Sequence, residues 1–147
     1  MAHVVSVNIS AKRGTEKHPM AEVTLRADYG IEGDAHAGNW GRQVSLLAQE
    51  SIDKMIALGA CRAGLLLPGR FAENITVQGL ELHTLPLGTR LRLGDCELEL
   101  TQIGKECHRH CEIYEKIGVC VMPLEGVFAK VLRGGRVKAG DSVSIVA

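Results

Sequence analysis

From Leu91 to Leu100 the chain alternates apolar and polar residues on either side of Gly94-Asp95. Period two marks a strand with one buried face, and a glycine-containing pair between two such runs is a hairpin turn. The pattern recurs along the chain. Val5, Val7 and Ile9 alternate with Ser6 and Asn8, which predicts a half-buried opening strand, and Glu22 to Arg26 alternates again. Val44 to Leu47 reads as a short strand, and Phe71 to Val77 is strand-like, with Ile75-Thr76-Val77 β-branched throughout. Gly140 to Ile145 repeats the phrase of Gly88 to Leu93, a glycine turn feeding an alternating strand. Val127 to Leu132 suits a short helix or a strand, ended by Gly134-Gly135.

Between these runs the chain is punctuated. Lys12 to Lys17 is a polar loop, and His18-Pro19 is extended. Tyr29 to Gly41 carries Gly30, Gly33, Gly38 and Gly41, too many for a helix. One helix is well marked: Ala48, Ile52, Met55 and Ile56 fall on a single face, with Gly59 at its C-terminal end. Many short strands and one good helix predict a mainly β fold. The expected form is a closed or nearly closed β-barrel with a few short peripheral α-helices, residues 1–147 forming one domain.

A chain of 147 residues needs no staple, since a domain of this size buries about 68–70% of its unfolded surface. Seventeen Lys and Arg balance seventeen Asp and Glu. That balance argues against a nucleic acid or an anionic membrane as partner. The N-terminus lacks the pattern of a signal peptide, and no apolar run approaches the ~20 residues of a membrane span. Five cysteines are an odd number for a disulfide framework, so a reducing, cytoplasmic location is expected.

Three segments carry possible chemistry. Gly33-Asp34-Ala35-His36-Ala37-Gly38, followed by Arg42, offers backbone approach with a carboxylate, an imidazole and a guanidinium, a set suited to an anionic ligand. Its plainer reading is a tight surface turn in which Asp34 bonds its own backbone. Glu73-Asn74 are polar residues inside a strand-like run, explained simply by a strand whose second face is wet. Gly104-Lys105-Glu106-Cys107-His108-Arg109-His110-Cys111, with Cys120 beyond, leaves three readings open. Lys105, Arg109 and the histidines would lower a thiol pKa and make it reactive. The ligand types also suit a metal, although the spacing lacks a second compact pair. The third reading is that the cysteines are small packing residues in a tight loop; packing is also the reading for Cys61 and Cys96.

Taken in order, these segments resemble the MOSC domain, the module also found at the C-terminus of molybdenum cofactor sulfurases. The resemblance is carried by Gly33 to Gly38, Arg42-Gln43-Val44-Ser45-Leu46-Leu47, Pro68-Gly69-Arg70-Phe71-Ala72-Glu73-Asn74-Ile75 and Gly104-Lys105-Glu106-Cys107. Gly126-Val127-Phe128-Ala129, Gly134-Gly135 and Gly140-Asp141 complete it, and it is nearest to the small stand-alone bacterial members. It implies a β-barrel-like fold, binding of the molybdenum cofactor (molybdopterin), and sulfur transfer through a cysteine persulfide. The family's characteristic cysteine matches Cys107, as sulfur carrier and as a soft ligand for molybdenum.

The implied cofactor has an anionic phosphate end, for which Arg42 and Lys105 are the candidates, and a pterin edge, for which Asn74, Asp34 and the neighbouring His36 are candidates. The chain has no room for the pyridoxal-phosphate desulfurase module of full sulfurases. The implied partners are therefore a separate cysteine desulfurase as sulfur donor and molybdoenzyme or cofactor-biosynthesis proteins as acceptors. A homodimer is an open possibility. Two other functions stay open: a molybdenum-cofactor-dependent reductase component served by an electron-donor partner, and a zinc-binding interaction module using Cys107, Cys111, Cys120 and a histidine.

Overall fold

The computed structural model describes residues 2–11, 17–57, 73–104 and 125–146. Strands dominate: β1 (His3–Ile9), β2 (His18–Met20), β3 (Glu22–Arg26), β4 (Gly30–Ile31), β5 (Val44–Ala48), β6 (Ile75–Gln78), β7 (Arg90–Leu93), β8 (Cys96–Ile103), β9 (Val127–Arg133), β10 (Gly135–Lys138) and β11 (Val143–Ile145). Among the described residues there is one α-helix, α1 (Gln49–Ala57), and a 3-10 turn at Leu82–Thr84. The segment Val127 to Leu132, compatible with helix or strand by sequence, is strand β9, paired along its length with β8.

Eight strands form one sheet in the order β11-β7-β8-β9-β5-β6-β1-β2, and β10-β3-β4 form a second. The hairpin read from Leu91 to Leu100 is β7–β8, with Leu91 opposite Leu98 and Gly94 in the turn at φ 56°. The β5–β6 pair is parallel, and a parallel pair requires a crossover. Helix α1 lies in that crossover and packs on both strands.

The expected closed barrel is not formed among the described residues. The sheet is open, and its curl brings β1 to the entry of β11 at a single bridge, His3 to Ser142. Backbone bonds from Val4 N to Asp141 O (2.8 Å) and from Gly140 N to Val4 O (2.8 Å) extend that contact without continuing a ladder. Leu46, Ile75, Leu91, Leu98 and Val131 from the large sheet and Val23, Leu25 and Val137 from the small one share a single core. Each fully buried aliphatic side chain there contributes about 1.5–3 kcal/mol. No helix among the described residues is long and apolar enough to cross a membrane.

Strand β1 departs from its expected half-buried form. A bulge places Val5 as an extra residue between the Val4–Val77 and Ser6–Thr76 pairs, so Val4 and Val7 enter the core and Val5 does not. The opposite face, Ser6, Asn8 and Ser10, is buried rather than wet. Side-chain hydrogen bonds from Asn8 to Glu73 O and Thr76, and from Asn74 to Asn8 O, reinforce the ladder there.

Candidate functional site

Residues 27–43, a connection interrupted by the two-residue strand β4, gather the candidate groups, and three anchors set their shape. Asp28 takes a left-handed conformation (φ 52°), which Asp tolerates better than most residues, and accepts bonds from Gln43 Nε2 (3.0 Å) and from Asn39 Nδ2. Gln43 is buried, and its Oε1 accepts the Val131 N–H at 2.9 Å, which fastens the loop to β9. Gly30 (φ 121°) lies so close to the Gln43 carbonyl that an added Cβ would stand 2.6 Å from its oxygen. Only glycine fits there.

Inside this frame Asp34 is turned inward. Its Oδ1 accepts Ser10 N–H (3.1 Å) and the Lys17 ammonium (2.7 Å), and its Oδ2 accepts His36 N–H (3.0 Å). The last bond is the turn of the plainer reading, but Asp34 is buried where that reading placed it on the surface. Lys17, the end of the polar loop read from the sequence, is buried with its side chain fully enclosed. Its Nζ also reaches Ser10 Oγ at 3.0 Å and His36 Nδ1 at 3.2 Å. Burial alone would raise the Asp34 carboxyl's pKa, but the hydrogen bond and charge of the Lys17 ammonium and the His36 backbone N–H outweigh it. The carboxyl is held well below the usual carboxylate range.

Arg42 stands at the other end of the loop, half-buried. Its guanidinium lies over the rings of Trp40 (5.7 Å) and Phe128 (5.6 Å), and its Nε donates to Gln102 Oε1 at 3.3 Å. Gln102 Nε2 in turn donates to the carbonyl of Gly104 (2.8 Å), whose N–H is bonded to Gly126 O (2.6 Å). Two aromatic faces and one bond through Nε hold the planar group, and no described residue takes a hydrogen bond from its two Nη groups. Trp40 Nε1 donates to His36 O at 2.8 Å, so the ring that supports Arg42 also braces the His36 turn.

Asn74 lies deeper, just before β6 rather than within a strand. It is fully buried together with Glu73, so the wet-face explanation for this pair does not hold. Asn74 Oδ1 accepts from Ser45 N (2.9 Å) and Ser45 Oγ (3.1 Å), while Nδ2 donates to Asn8 O (3.1 Å). Its amide thus ties β5 to β1 at the point where β6 enters between them. Thr76 Oγ1 donates to Glu73 Oε2 (2.8 Å), and Asn8 Nδ2 to Glu73 O (3.2 Å).

The structure therefore brings Asp34, His36 and Arg42 together on one loop and places Asn74 inside the scaffold. Lys105, Cys107, Cys111, Cys120 and Cys61 lie outside the described residues, as do the ligands of the zinc alternative. No group of three or more metal-ligating side chains occurs among the described residues. Cys96 is a core residue, as expected, with burial and then Asp95 pushing its thiol up to about 11. Lys17, Trp40, Gln102 and Phe128 escaped the sequence reading. Trp40 had a signal, as the one tryptophan in a chain with 3% aromatics, two residues from Arg42; Lys17 had none.

The fold has close relatives among solved structures. It matches YuaD from Bacillus subtilis with a TM-score of 0.77 at 21% identity, over 97% of this chain and 94% of that one. It matches YiiM from Geobacillus stearothermophilus (TM-score 0.76, 20% identity, 100% and 76% coverage) and YiiM from Escherichia coli (0.71, 20%, 100% and 70%). At such identities the likeness is one of fold. No curated protein matches the sequence. The family model for the MOSC domain matches residues 33–144, from the glycine before Asp34 to strand β11, and the chain belongs to the MOSC domain family.

Proposed function

We propose that this MOSC-domain protein binds a molybdopterin-type cofactor through Arg42 and carries sulfur for it as a persulfide on Cys107. The observation that supports the reading most is Arg42 itself. A guanidinium pinned by two aromatic rings and a bond through Nε keeps its Nη edge for a ligand, and that edge matches phosphate oxygens two at a time. The residues present thus fit the anionic end of such a cofactor, with Lys105 as a second cation in the sequence beside Cys107. When bound, the group supplies a metal centre whose sulfur ligation can be exchanged.

The chain's own residues have separate tasks. Arg42 holds the anionic end and orients the ligand, and His36 offers a polar edge at the accessible side of the same loop. Asp34 and Asn74 act through the scaffold: Asp34 by fixing the His36 turn and Lys17, Asn74 by fixing β5 against β1. The link from Arg42 through Gln102 to Gly104 ends three residues before Cys107 in the sequence. The Cys107 thiolate attacks the outer sulfur of a donor persulfide, the donor thiolate leaves, and no net oxidation occurs. The donor is a separate cysteine desulfurase, the acceptor a molybdoenzyme or cofactor-biosynthesis protein, and the setting a reducing cytoplasm.

The test is to purify the protein from cells producing molybdenum cofactor and measure bound pterin, bound molybdenum and the mass of the Cys107 peptide. Retention of pterin by the wild type, its loss in Arg42→Met, and a mass gain of one sulfur on Cys107 are expected. Pterin bound equally by Arg42→Met, with Cys107 never persulfidated after treatment with a desulfurase and cysteine, would overturn the reading.

A further inference from the structure

We infer that Lys17 is a positioning residue that fixes the imidazole tautomer of His36 with its proton on Nε2, so that His36 meets its ligand as a hydrogen-bond donor. Lys17 Nζ stands 3.2 Å from His36 Nδ1 and 2.7 Å from Asp34 Oδ1. An ammonium has only donors, so a bond across 3.2 Å requires Nδ1 to present its lone pair. The other possible partner for an Nδ1 proton, Asp34 Oδ2, lies at 3.7 Å, beyond hydrogen-bond range, and already accepts the His36 backbone N–H.

With Nδ1 facing the enclosed ammonium, Nε2 occupies the ring edge away from it. The His36 side chain is 15% exposed, whereas those of Lys17 and Asp34 are fully enclosed. The buried ion pair therefore acts outward through one ring. The Asp34–Lys17 pair is internally neutral, which leaves His36 facing a fixed donor rather than a net charge.

An Nε2–H donor selects acceptor atoms: phosphate oxygens or a ring carbonyl. Trp40 joins the His36 carbonyl to the Arg42 stack, so the two donors stand on one braced segment. The tautomer stands on this geometry alone; its use by a ligand rests on the proposed function.

The tautomer is read by two-bond 15N–1H correlation on 15N-labelled protein at pH 8, with His36→Gln identifying its signals among the six histidines. The expected wild-type pattern is a single tautomer, Nε2 protonated and Nδ1 bare. Lys17→Met should move the proton toward Nδ1, where Asp34 Oδ2 becomes the nearest acceptor, and Lys17→Arg should keep the wild-type pattern. Because Lys17→Met strands a buried carboxylate, Lys17→Met/Asp34→Asn is measured beside it and should show the mixture typical of free imidazole. A wild type with an Nδ1 proton or a mixture overturns the inference, and so does a folded Lys17→Met or double variant that keeps the wild-type pattern.

Inorganic pyrophosphate then probes the ligand role. A shift of the Nε2–H signal together with Trp40 emission supports it. A change in Trp40 alone removes His36 from the ligand while leaving the Arg42 reading intact. No change in either removes the anion reading and the ligand role with it, the tautomer being decided by the spectra.

Discussion

Lys17 Nζ lies 2.7 Å from Asp34 Oδ1, and neither side chain reaches solvent. A charge pair so enclosed is costly to split, because the surviving charge loses this partner while its side chain stays out of water. The pair joins the start of β2 to the turn that carries His36, so its integrity decides the shape of the candidate site.

Splitting it defines the first prediction. Asp34→Asn and Lys17→Met should each destabilise the fold by about 3–5 kcal/mol. Lys17→Met/Asp34→Asn should cost well under the sum, since no lone charge remains. Urea unfolding of the four proteins reads the coupling directly. Additive single effects would mean that the two groups do not act as a pair.

The pair also fixes an acid dependence. The Asp34 carboxyl is held below its unfolded value of about 3.9, so the unfolded chain takes up the proton first as pH falls. The pair's contribution is complete above about pH 5 and declines below it. By pH 3 the wild type should lose about 1 kcal/mol relative to Lys17→Met/Asp34→Asn, compared with pH 6. Unfolding free energies of the two proteins at the two pH values check this, and a constant difference would contradict it.

Local signals made the strands legible, and distance hid the rest. The hairpin Arg90–Ile103 announces itself through alternation around Gly94, and α1 through one apolar face. The MOSC motifs located the loop of Asp34, His36 and Arg42. The bulge at Val5 is invisible in β1 alone because it exists only against β6. Nothing local marks Lys17 as buried, because the partner that permits its burial lies 17 residues away. Glu73 and Asn74 were noticed as misfits, but their explanation needed Asn8 and Ser45, 66 and 29 residues from Asn74. No closed barrel follows from strand count, because closure depends on how β1 meets β11.

Asn74 supplies a third prediction. Asn74→Ala removes the acceptor of Ser45 N–H and the donor to Asn8 O, both buried, and should cost about 2–4 kcal/mol. Asn74→Asp keeps the acceptor and loses the donor, so it should be the milder change only where its carboxyl is protonated. Thermal unfolding of both variants at pH 7 and pH 4 distinguishes a brace from a wet-face residue, which would tolerate either change.

Gly30→Ala tests the loop frame. It places a Cβ 2.6 Å from the Gln43 carbonyl oxygen at a φ of 121°, two penalties that together should reach about 3 kcal/mol or more. Gly88→Ala also strains a positive φ but meets nothing within 4 Å, and should cost about 1 kcal/mol. Equal effects would remove the close approach as the reason for glycine at position 30.

The cysteines separate by environment rather than by count. At pH 8 a thiol with a pKa of about 11 is ionised in only about one molecule in a thousand, and Cys96 is also sealed in the core. Native protein treated with iodoacetamide at pH 8 should therefore leave Cys96 unmodified, while Cys107 is labelled first if Lys105, Arg109 and the histidines raise its thiolate fraction. Peptide mass mapping over time gives the order. Labelling in denaturant should bring Cys96 level with the rest, because burial causes most of its shift and unfolding removes it. Cys107 labelled no faster in the native protein than after unfolding would contradict an activated thiol and withdraw the chemical basis for persulfide transfer at that residue.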